Sequence, residues 1–117
     1  MNDDSRLIAA LEHANYKMTL VQQQKNLRLK FTNDSLYAHN GGIFTVSPAL
    51  MSMVDLLIRQ NQTDTILLDD KNIPIKIKDL KDFQDDIMSV YGEATNDYHI
   101  AWEALRKART VEAVIKA

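Results

Sequence analysis

Apolar residues recur at helical spacing near both ends of the chain. In the N-terminal segment, steps of four and three residues connect one apolar stripe, made of Leu7, Leu11, Ala14, Met18 and Val21. Because residues at these intervals share one face of an α-helix, the stripe predicts an amphipathic helix over residues 4–25. A similar series from Leu80 to Ala108 predicts a long helix over residues 79–109, behind an Asp79 cap. Gly92 leaves open whether that helix is continuous, since glycine costs about 1 kcal/mol relative to alanine there.

The middle of the chain alternates between apolar and polar residues. Leu27, Leu29 and Phe31 are separated by polar residues, and this period of two predicts a half-buried strand. A turn at Asn33-Asp34, a return strand over 35–39, a tight turn at 40–42 and a strand over 43–46 follow. Together these segments predict a three-stranded antiparallel meander.

A short helix and a second hairpin complete the predicted fold. Ser47 followed by Pro48 indicates a helix start, because serine caps the backbone and proline fits the first turn. Strands at 66–68 and 73–77 then predict a hairpin, with Pro74 on a sheet edge. The predicted class is α+β: an N-terminal helix, a small antiparallel sheet of about five strands flanking a short helix over 27–78, and a long C-terminal helix.

The length of 117 residues predicts a single domain, with the terminal helices forming a helical layer or arm. A hydrophobic fraction of 45% and a charged fraction of 26% are typical of globular proteins. The last helix is long for such a chain: from Leu80 to Ala108 it would span about 44 Å, against a diameter of roughly 35 Å for a compact chain.

An apolar face on such a helix needs a covering surface. We therefore expect a homo-oligomer, with a dimer favoured, in which the two terminal helices pack as in a coiled coil; another protein is an alternative partner. The residues predicted for the interface are Leu7, Leu11, Met18, Tyr98, Ala101, Trp102, Leu105 and Ala108.

Catalytic and metal-binding motifs are missing from the sequence. It contains no cysteine, and its histidines at positions 13, 39 and 99 have no metal-ligand spacing. Carboxylates at Asp82, Asp85 and Asp86, with Asp69-Asp70 before them, suit Mg²⁺ or Ca²⁺ chemically. Stabilisation of the helix N-terminus explains the acidic helix face more simply. We therefore expect no enzyme activity, no cofactor and no metal.

Two basic clusters provide an alternative function, the binding of nucleic acid or a small ligand. One consists of Lys25, Arg28 and Lys30, and the other of Arg106, Lys107 and Arg109. Tyr37 and Phe44 are candidates for stacking on bases. Most of the affinity of such proteins comes from neutralised phosphates, so the net charge of −2 argues against this alternative.

The remaining expectations concern location and origin. No run of about 20 apolar residues and no secretion signal occurs, which predicts a cytoplasmic protein without a membrane span. The run from Leu67 to Ile75, followed by a long helix, resembles small open reading frames of tailed phages in size and texture. This resemblance implies a phage-like origin and assigns no role to any residue.

Overall fold

The fold is known from a computed structural model, which describes residues 3–108 and 110–117. The chain divides into two compact units. The helical unit combines the chain up to Lys30 with Asp97–Ala117, and the mixed unit is Phe31–Asn96. The class is α+β, as predicted, and two long helices each contribute residues to both units.

The first helix, α1, covers Asp3–Asp34 and is longer than predicted. The strand predicted at 27–32 is wrong, because these residues form the last turns of α1. Leu27 and Phe31 are four residues apart and therefore share a helix face. Phe31 packs edge-on against Tyr91, with ring centroids 6.2 Å apart, and Leu29 points outward at 64% exposure.

The strands β1 (Leu36–His39) and β2 (Gly42–Thr45) form the first hairpin. Asn40 and Gly41 occupy its turn with φ values of 48° and 85°. Positive φ at both central turn positions gives a twist that matches the flanking strands, which explains the Asn-Gly pair. The predicted turn and its two flanking strands are therefore confirmed.

Helix α2 covers Pro48–Arg59 and begins as the sequence predicts. The Ser47 hydroxyl accepts a 3.2 Å hydrogen bond from the amide of Leu50, and Pro48 occupies the first turn. Arg59 forms a 2.9 Å salt bridge with Asp55 on the solvent-exposed side of the helix.

The second hairpin consists of β3 (Thr65–Leu68) and β4 (Pro74–Ile77). Each hairpin is a separate two-stranded sheet, so the predicted sheet of about five strands is wrong. The two hairpins are joined by hydrogen bonds outside their strand pairing. The amide of Asp70 donates to the carbonyl of Ile43 (2.9 Å), and the Asp70 carboxylate accepts from the Thr45 amide and hydroxyl (2.9 and 2.6 Å).

The core of the mixed unit gathers one face of each hairpin against α2 and the start of α3 (Leu80–Lys107). Its buried residues are Phe44, Val46, Val54, Ile75, Ile77, Leu80, Phe83 and Ile87. Gly42 lies against this core: a Cβ added there would come within 2.6 Å of Cγ1 of Ile75. The close approach of β2 to β4 therefore requires glycine at this position.

Helix α3 is continuous through Gly92 and ends at Lys107. A short helix, α4 (Val111–Lys116), follows a break in which Thr110 is extended and its hydroxyl accepts from the Ala113 amide at 3.1 Å. The long C-terminal helix is confirmed, but it does not continue into the last residues. Arg109, the last residue predicted for it, lies outside the described residues. Near its end Glu103 pairs with Arg106 at 2.8 Å.

Candidate interaction surface

Helix α1 is apolar on two opposite sides within the helical unit. One side carries Tyr16, Leu20 and Leu27, which pack on Leu105, Ala108 and Val114, the three buried residues of this unit's core. The hydroxyl group of Tyr16 donates a 3.0 Å hydrogen bond to the carbonyl of Ala108. This side anchors α1 to the end of α3 and to α4.

The opposite side carries the stripe that the sequence analysis identified. Leu7, Leu11, Met18 and Val21 are between 50 and 71% exposed, and Ala14 between them is exposed as well. Steps of four, three, four and three residues place these side chains at the a and d positions of a heptad repeat. We call Leu7, Leu11, Ala14, Met18 and Val21 the outer seam. No residue of the helical unit's core belongs to it.

The predicted interface residues therefore fall into two groups. Leu7, Leu11 and Met18 are exposed in the outer seam, whereas Leu105 and Ala108 are 3% and 6% exposed. The inner side of α1 and Val114 of α4 pack on Leu105 and Ala108, so these two residues do not need a partner to cover them.

The predicted aromatic anchors lie beside this inner core. Tyr98 and Trp102 are half-buried and contact each other edge to face, with centroids 5.9 Å apart. Ala101, between them in sequence, is half-buried too. The guanidinium carbon of Arg28 lies 5.8 Å from the centre of the Trp102 ring, a distance suited to a cation–π contact.

An open groove of about 790 Å³ runs between α1 and the first turn of α4. Glu12, Tyr16 and Met18 line it from α1, and Val111 and Glu112 line it from α4. Met18 belongs to both the groove and the outer seam, so the two features form one continuous surface on the helical unit.

Comparisons with protein-family models, with curated proteins and with solved structures found no match. The functional argument therefore rests on the residues of this chain. The phage-like origin stays a prediction.

One arginine of each basic cluster has a partner within the helical unit. Arg28 lies over Trp102, and Arg106 forms a two-pronged ion pair with Glu103. Lys25, Lys30 and Lys107 are exposed, and Arg109 lies outside the described residues. Nucleic-acid binding by these residues stays a prediction.

The aromatic residues proposed for base stacking are engaged within the mixed unit. Phe44 is 2% exposed and its ring lies 5.4 Å from that of Phe83, so the expectation that it can stack on a base is wrong. The hydroxyl group of Tyr37 donates a 2.6 Å hydrogen bond to Asp86. Burial, followed by the hydrogen bond and the charge of Asp86, raises the pKa of Tyr37 to about 12.

The acidic residues stabilise turns and a helix start. Within residues 3–108 and 110–117, no group of three or more histidine, aspartate and glutamate side chains is placed to hold a metal ion. The Asp69 carboxylate accepts hydrogen bonds from the amides of Ile73, Ile43 and Lys71, which lower its pKa. The charge of Asp79 raises the pKa of Asp82 at the start of α3.

In the part of the chain that the structure describes, no helix has a stretch both long and apolar enough for a membrane span.

Proposed function

We propose that this protein is a small interaction or assembly protein that associates with a second copy of itself through the outer seam of α1. The observation that carries the proposal is the separation of the two apolar sides of α1. The inner side is used by the chain's own core, and the heptad-spaced outer side is not.

The spacing of the seam supports a helical partner. Apolar residues that alternate at three- and four-residue steps pack into the corresponding gaps of a second helix. A flat or irregular partner surface needs no such regularity. A second copy supplies a helix with the same spacing, and two-fold pairs are the commonest closed assemblies.

The area available indicates a weak dimer. Full burial of a leucine, valine or methionine side chain contributes about 1.5–3 kcal/mol, and Leu7, Leu11, Met18 and Val21 are still 50 to 71% exposed. About 1 kcal/mol therefore remains for each of Leu7, Leu11, Met18 and Val21, or roughly 8 kcal/mol for two copies. Association costs on the order of 4–15 kcal/mol, so we expect the dimer to depend on concentration.

Light scattering after size exclusion tests the proposal over a concentration series from about 1 μM to about 1 mM. The wild-type mass should rise from the 13.4 kDa of one chain towards twice that value. The variant Leu11→Glu should stay at the mass of one chain, because it places a charge in the seam.

Ile66→Glu is the matched control for this experiment. Ile66 and Leu11 are both 54% exposed, but Ile66 lies on β3 in the mixed unit. The control should dimerise like the wild type. A wild-type mass of one chain over the whole series would refute self-association, and equal loss in both variants would remove α1 from the interface.

A further inference from the structure

Charged residues continue the outer seam at both of its ends. Asp4 precedes Leu7 by three residues and Lys25 follows Val21 by four, and both are exposed. These steps place Asp4 and Lys25 at a positions of the seam. Arg28, three residues further on, lies over Trp102 and does not belong to the seam. The seam therefore has an acidic start, an apolar middle and a basic end.

From this polarity we infer that the two copies pair with their α1 helices antiparallel, in a register that places Leu7 of each copy opposite Lys25 of the other. The inference rests on the proposed self-association and specifies its geometry.

The parallel alternative brings like charges together. In a parallel pair each a or d residue faces its own counterpart, so Asp4 would face Asp4 and Lys25 would face Lys25. Like charges that face each other at a packed seam are destabilising. The charged residues form the outermost layers of the seam, so no apolar layer beyond them offsets the repulsion.

The antiparallel register also suits the sizes of the apolar residues. In this register Leu7 lies opposite Lys25, Leu11 opposite Val21, and Ala14 opposite Met18 of the second copy. Asp4 lies one layer beyond Leu7, next to Lys25 of the second copy. The small Ala14 thus receives the long, flexible Met18 twice, where a parallel pair would leave Ala14 facing Ala14. The aliphatic part of Lys25 can cover Leu7 while its ammonium group remains in water.

One contact opposes this register. Lys17 lies beside the seam at its centre, so the two Lys17 side chains approach each other across the antiparallel pair. Lys17 is exposed, and repulsion between exposed charges is small and screened by salt. The opposite charges within the seam therefore decide the orientation.

The absence of cysteine from the sequence makes a direct test possible. Leu7→Cys and Lys25→Cys are prepared as separate proteins, mixed in equal amounts above the dimer concentration and oxidised mildly. The antiparallel register predicts that at least half of the cross-linked product joins Leu7→Cys to Lys25→Cys, which mass spectrometry identifies. Each variant alone should cross-link at least tenfold less.

A mixture of Leu7→Cys with Lys81→Cys is the matched control, since Lys81 is an exposed residue of the mixed unit. It should give no more product than the single variants. Efficient cross-linking of Leu7→Cys to itself would establish the parallel orientation, which overturns the inference and leaves self-association intact. A chain that light scattering shows as a monomer throughout would refute both, and a dimer without any mixed product would refute the register alone.

Discussion

The hydroxyl group of Tyr16 on α1 hydrogen-bonds the backbone carbonyl of Ala108, 92 residues later in the chain. Ala108 is the first residue after α3, where the helix leaves carbonyl groups without a partner inside it. The tyrosine thus satisfies one of these groups from another helix. This bond, with the packing around it, fixes where the chain leaves α3 and turns towards α4.

Loss of this hydrogen bond should weaken the helical unit. Tyr16→Phe keeps the ring in contact with the core and removes the hydroxyl donor, so the free energy of unfolding should fall by about 1 kcal/mol. Urea unfolding followed by circular dichroism measures the change. Tyr91→Phe, which keeps its edge-to-face contact with Phe31, is the comparison, and an unchanged midpoint for Tyr16→Phe would show that the bond contributes nothing.

Tyr37 should be detectable by its late ionisation. Its pKa of about 12 lies above the ordinary value of 10, so absorbance of the phenolate in the folded protein should lack one tyrosine's contribution until the pH approaches 12. Tyr37→Phe identifies that contribution. Asp86→Asn removes a charge and should bring the pKa of Tyr37 down towards 10. An unshifted titration in Asp86→Asn would contradict the assigned role of Asp86.

The same shift has a consequence for stability. Because the folded state raises the pKa of Tyr37, its contribution to the free energy of unfolding is fully present below pH 10 and is lost as the pH rises towards 12. Tyr37→Phe should therefore have a flatter stability profile than the wild type between these two pH values.

Two glycines should respond in opposite directions to alanine. Gly42→Ala places a methyl group 2.6 Å from a side-chain carbon of Ile75 and should cost about 1–3 kcal/mol of unfolding free energy. Gly92 has open space around its Cβ position in the middle of α3, so Gly92→Ala should stabilise by about 1 kcal/mol. Thermal unfolding of both variants checks the signs, and a destabilising Gly92→Ala would contradict a continuous α3 with open space beside Gly92.

Leu105 should matter for folding before it matters for association. It is 3% exposed, and Leu105→Ala should cost about 2–5 kcal/mol of unfolding free energy. Ile100→Ala, on the same helix at 60% exposure, should change the unfolding free energy by no more than about 0.5 kcal/mol. Denaturant unfolding at low protein concentration, where the chain is monomeric, measures both. A small effect at Leu105 would argue against the packing of α1 on the end of α3.

Local sequence patterns predicted those elements whose boundaries are set by local chemistry. The Ser47 cap, the Asn40-Gly41 turn and the Asp79 cap each satisfy backbone groups within a few residues, so they could be recognised without knowledge of the fold. Residues 27–32 were misassigned because their alternation suits a strand as well as a helix. Phe31 contacts Tyr91, which lies 60 residues later in the chain. A local pattern cannot show such a distant contact.

The candidate site was also only partly predictable from local patterns. The outer seam follows from regular spacing, and its exposed residues Leu7, Leu11 and Met18 were identified. The inner side of α1 was not predicted, because the sequence analysis followed one apolar stripe along this helix, and Tyr16, Leu20 and Leu27 lie four and seven residues apart on the opposite face. Which of two apolar faces a chain uses for its own core depends on distant residues, here Leu105 and Val114.

Under the proposed self-association, the two sides of α1 link the folding of one chain and the pairing of two chains along a single helix. Damage to the inner side should lower the melting temperature equally at every protein concentration. Damage to the outer side should instead abolish the dependence of the melting temperature on concentration, because only the dimer is linked to mass action. Melting temperatures of α1 variants at two protein concentrations would therefore show which residues stabilise the single chain and which stabilise the dimer.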